Sequence, residues 1–172
     1  MALANKLGSQ YTAVKDKVNL RTIHIKTDEA EFDLKVRVPV KQEMESINET
    51  IVANDELKVD ELYKKLSAPV KKSIDAGGEE FLKAINKDKD FIIVKDNDII
   101  VDGNSIRNVA TLSVMWEVKV EQYFHLLVSE TGEPITESFE EISKEFPEDV
   151  IKQIVNEIEK VIKPDYSSVK KN

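Results

Sequence analysis

Residues 31–47, EFDLKVRVPVKQEMESI, change hydrophobic rhythm at a single proline, and that change constrains the fold more than any other stretch. Over residues 31–38 polar and apolar side chains alternate without a slip. Successive side chains on a strand point to opposite faces. Phe32, Leu34, Val36 and Val38 therefore share one face, and Glu31, Asp33, Lys35 and Arg37 the other. One-sided strands of this kind suit an antiparallel sheet with one face on a core and one in water. Pro39 cannot donate to a ladder, so it ends the strand and suits the first turn of a helix. The helical spacing follows at Met44, Ile47 and Ile51. Upstream, residues 22–26 (TIHIK) alternate too, and Asp28-Glu29-Ala30 between the two runs predicts a β-hairpin.

Helical spacing covers residues 41–53 and 58–66, with Ala68-Pro69 interrupting the second helix. Asp75-Ala76-Gly77-Gly78 reads as a break, followed by a short helical turn at Phe81, Leu82 and Ile85. Residues 91–101, FIIVKDNDIIV, predict a second hairpin. Residues 104–128 carry two patterns. Ile106, Ala110, Trp116, Val120 and Tyr123 belong to a helical stripe that Asn104 or Ser105 caps, whereas residues 116–121 alternate like a strand. The length of the stripe favours a helix, and its extra apolar residues (Leu112, Met115, Val118, Leu126) predict the most buried helix of the chain. A last helix opens at Pro147, carries Val150, Ile151, Ile154, Val155, Ile158, Val161 and Ile162 as its apolar stripe, and stops at Pro164. The predicted fold is α+β and mainly α-helical: an N-terminal β-hairpin, a second hairpin, and packed helices closing with an amphipathic C-terminal helix. Its expected divisions are an arm over 1–18, one domain over 19–163 with 53–103 as a candidate insertion, and a disordered tail over 164–172.

Composition narrows the function. A net charge of −8 argues against a broad nucleic-acid footprint. No apolar run approaches the ~20 residues of a membrane span, and the first residues lack a signal peptide's apolar region. The absence of cysteine excludes disulfides, thiol catalysis and thiolate metal sites. Two histidines, His24 on a polar strand face and His125 in an apolar run, make a poor zinc set, since such sites want three or four N or S ligands. Asp96, Asp98 and Asp102-Gly103 miss the calcium-loop pattern, because the glycine falls two residues late and Ile99, Ile100 and Val101 fill the middle. Gly77-Gly78-Glu79-Glu80 lacks the lysine of a phosphate loop and would repel phosphate. The expectation is a protein that is not an enzyme and holds no cofactor or metal.

The order of elements adds a positive indication. A hairpin ending in LKVRVP, an immediate helix KQEMESI, and later YFHLLVSETGEPI followed by FPEDVIKQIVNEIEKVI resemble the tail assembly chaperones of long-tailed bacteriophages. In that family a β element ends in a V-R-x-P/L-T-like corner before an acidic helix. A core helix then ends in an L-V-x-x-x-G-x-P-like turn, followed by an acidic segment and an amphipathic closing helix. Residues 31–47 and 120–162 carry the match, and 53–103 depart from it.

The resemblance implies a non-enzyme of the bacterial host cytoplasm, absent from the finished virion. Its implied client is the tape-measure protein, and tail-tube protein is a second partner, reached through a longer frameshifted product. Weak self-association is also implied. Partner contacts are expected at Val150, Val161, Phe139 and Phe146, because Val150 and Val161 widen the closing stripe beyond what one core face needs. A self-association edge is expected at Lys35, Arg37 and Pro39. The rival class is a virion structural protein, a tail-completion or neck component of the same composition.

Overall fold

In the computed structural model, residues 8–9, 18–28, 30–53 and 55–163 are described. Most of the expected arm, and the expected tail, lie outside these residues. The chain divides into two compact units, one formed by 1–50 with 118–172 and the other by 51–117. A single domain had been expected over 19–163; the segment 53–103 falls within the second unit, which also takes in 104–117.

In the first unit the alternating runs form β1 (Leu20–Lys26) and β2 (Glu31–Arg37), an antiparallel hairpin pairing Ile23 with Leu34 and Ile25 with Phe32. The core face holds Ile23, Ile25 and Val36, all nearly inaccessible, while Thr22, His24, Lys35 and Arg37 on the other face are exposed to water. Pro39 stands just outside the helix rather than in its first turn: α1 (Lys41–Val52) begins two residues later, with the Val40 carbonyl accepting from Met44 N–H at 2.9 Å. Across this corner Arg37 forks onto Glu43 with bonds of 2.6 and 2.7 Å. That fork, before Coulomb attraction, holds the Glu43 carboxyl below its ordinary pKa.

The second unit begins with α2 (Glu56–Ile85), capped by the Asp55 carboxylate on the N–H groups of Leu57 and Lys58. Pro69 does not end this helix, contrary to expectation; the turn runs on, with Ser73 Oγ donating to the Pro69 carbonyl. The break falls at Gly78, whose φ of 57° and ψ of −153° suit glycine alone. The second hairpin is present as β3 (Ile92–Lys95) and β4 (Asp98–Val101), extended by β5 (Asn104–Ser105).

Then comes α3 (Ile106–Phe124), a helix throughout, so the strand-like alternation at 116–121 loses. Ser105 caps it, accepting from Asn108 N–H at 2.9 Å. Val59 and Tyr63 of α2 cluster with Ala110 and Val114 of α3. Arg107 locks the arrangement: it donates to Asp60 and to the Asn97 carbonyl, both at 2.7 Å, with its guanidinium over the Tyr63 ring. On α3, however, Val109 and Leu112 are about half exposed, so it is not the most buried helix.

That place belongs to the closing helix. β6 (Leu127–Val128) adds to β2, giving the sheet order β1-β2-β6. After α4 (Phe139–Glu145), whose Ser138–Glu141 capping box is complete, comes α5 (Glu148–Ile162). It lies against β1 and buries Ile151, Ile154, Val155 and Ile158, the last three with no exposed surface.

Candidate functional site

Three separated parts of the first unit meet around a groove of about 390 Å³. α3 ends at Phe124, and a short turn carries Leu126 and Leu127 back onto β2. There Arg37 N–H donates to the Leu126 carbonyl at 2.8 Å, while Val36 and Lys35 pair with Leu127 and Val128. A turn at residues 129–134 follows. Ser129 Oγ donates to the Glu133 carbonyl at 2.7 Å, and Val128 bridges to Pro134. Phe139 N–H donates to Glu121 Oε1, which ties the start of α4 to α3.

Burial sorts the lining into layers. Phe124, Ile142 and Ile154 are buried and form the floor. Leu34, Leu127, Ile135 and Phe146 are half-buried walls, and Val128 is exposed at the lip. Phe146 meets Phe124 edge-to-face, with ring centroids 5.8 Å apart. The rim is charged: Glu130, Glu137, Glu141 and Glu145 stand around it against one ammonium group, Lys35. The Ser138 N–H and hydroxyl hold the Glu141 carboxyl below its usual range. Among the described residues none of the four carboxylates forms an ion pair.

The expected contact residues separate on this surface. Phe146 and Lys35 come together in the groove, whereas Phe139 and Val161 do not line it. Val150 is corrected: only 9 % exposed, it is buried in the core along with Ile151, Ile154 and Ile158. The proposed edge at Lys35, Arg37 and Pro39 is corrected as well. β2 is the central strand, and at 35–37 it is paired on both sides, by β1 and by the return through Leu126 to Val128. The acidic rim was missed, although Glu137, Glu141 and Glu145 recur every four residues, the spacing of one helix face.

No match emerges elsewhere: no family model, no curated protein and no solved structure matches this chain. Chemically, the groove offers an apolar floor, half-buried aliphatic and aromatic walls and a carboxylate rim. His24 lies on the exposed strand face with Nδ1 2.5 Å from Asp33, and His125 sits with Nε2 3.3 Å from the Glu137 carbonyl. Among the described residues no three His, Asp or Glu side chains gather as a metal site, and no helix is long and apolar enough to cross a membrane.

Proposed function

We propose that this chain is a non-enzymatic tail assembly chaperone of a long-tailed bacteriophage or prophage. It binds the tape-measure protein in the host cytoplasm, keeps it soluble and assists tail-tube polymerisation. One observation carries the proposal: every residue lining the acid-rimmed groove falls within residues 31–47 or 120–162, the two stretches that carry the family resemblance. An apolar groove is what a chaperone needs to hold one face of a long helical client. The net charge of −8 keeps such a complex dispersed. Contact with tail-tube protein, through a longer frameshifted product, belongs to the same proposal.

The test is co-expression with the tape-measure protein encoded in the same phage genome. The expected result is a soluble complex that co-purifies, and that Val128→Glu at the groove lip disrupts while the variant keeps its helical circular dichroism. A tape-measure protein that aggregates equally with and without this chain would overturn the proposal. Mass spectrometry of purified particles should find the chain absent; its presence at fixed stoichiometry would replace the chaperone reading with that of a virion component.

A further inference from the structure

We infer that the groove takes an amphipathic α-helix flanked by lysine or arginine, and that it excludes extended peptides and acidic helices. This rests on reading the groove as a partner site, but not on which protein supplies the helix.

The exclusion of an extended ligand follows from the sheet. A strand entering the groove would need a free ladder along its wall. At Lys35 and Val36, β2 is already paired with β6, which leaves an open ladder on that side only at residues 31–34, and of these Leu34 alone lines the groove. The far side of Val128 is bridged to Pro134, which has no N–H to offer. A backbone entering an apolar groove without a ladder must satisfy its own hydrogen bonds, and a helix does so. The floor of Phe124, Ile142 and Ile154 then receives apolar side chains at helical spacing.

The rim decides the charge. Four carboxylates face one ammonium group, and Glu130 and Glu145 have no hydrogen-bond donor among the described residues to offset them. A helix with basic flanks relieves that repulsion and fills the vacant acceptors; an acidic helix adds to it. Arginine or lysine at the flanks also reaches outward from a buried stripe, the stem lying on the lip and the charge on the rim.

The experiment uses two fluorescein-labelled peptides of roughly 18 residues, about five helical turns. Both carry leucine at i, i+3, i+4 and i+7, with lysine on the remaining face of one and glutamate on the other. Anisotropy against the full chain should show the lysine peptide binding at least ~10-fold more tightly and weakening ~10-fold between low and high salt. Its circular dichroism should become helical on binding.

The triple rim variant Glu130→Gln, Glu137→Gln and Glu145→Gln should weaken it several-fold. An equal change of charge outside the groove, Glu49→Gln, Glu61→Gln and Glu80→Gln, should not. The inference is overturned if the glutamate peptide binds as well, if the two triple variants behave alike, or if the bound peptide stays extended. If the tape-measure protein co-purifies while the lysine peptide fails to bind, the basic-helix ligand is wrong and the chaperone reading stands. If the peptide binds at the rim and the tape-measure protein does not co-purify, the chaperone reading falls and the basic-helix ligand stands.

Discussion

Replacing Ile158 with alanine tests how α5 is held. Ile158 has no exposed surface and sits on the face of α5 that lies against β1. The substitution removes three carbons, which at ~0.8 kcal/mol each forfeits ~2.4 kcal/mol of transfer free energy. Interiors packed this tightly relax only partly, and ~60 Å³ of residual cavity at ~24 cal/mol per Å³ adds ~1.4 kcal/mol. The expected loss is therefore ~4 kcal/mol, against ~1 kcal/mol for Ile158→Val. Leu57→Ala is the control: 78 % exposed on α2, it should cost no more than ~0.5 kcal/mol. Urea titrations followed by circular dichroism, with amide exchange across residues 148–162, measure all three. A loss below ~1 kcal/mol for the alanine variant, or equal losses for valine and alanine, would refute this packing of α5.

Four further outcomes are expected. Lys119 and then Lys163, at 2.8 and 2.7 Å, hold the Glu159 carboxyl below its ordinary range. The stability this gives is complete above the usual glutamate pKa of ~4.3 and is lost as pH falls through the lowered native value. The gap between the natural chain and Glu159→Gln should accordingly be widest at neutral pH and close on acidification; a gap that grows in acid refutes it. Gly78→Ala should destabilise by ~1–3 kcal/mol, because its backbone lies where a Cβ is not tolerated, and thermal melting measures the loss. Double-mutant cycles on the exposed Arg37–Glu43 fork should give only ~0.2–1 kcal/mol of coupling, shrinking in high salt. Reversing charge at Lys35 and Arg37 should leave sedimentation unchanged, since both residues lie on β2, the central strand of the sheet.

Local periodicity was enough to place most elements. Alternation at 22–26 and 31–38, and the seven apolar positions of the last helix, each express geometry that acts over a few residues. The second hairpin and the glycine break in α2 were visible for the same reason. Pro69 shows the limit. Proline's cost to a helix is local, but whether a helix continues depends on what it buries, and Val59, Tyr63 and Ser67 lie inaccessible on α2. Val150 and Val161 show another: periodicity gives the angle of a side chain around the helix axis, while the surface standing opposite that angle comes from elsewhere in the chain. β6 has two residues, too short for any pattern, and exists because Leu126 to Val128 land beside a strand some 90 positions earlier. The groove follows the same rule. Its floor, walls and rim come from β2, the end of α3, α4 and α5, so tertiary packing alone brings them together, because hydrophobic burial is indifferent to separation along the chain.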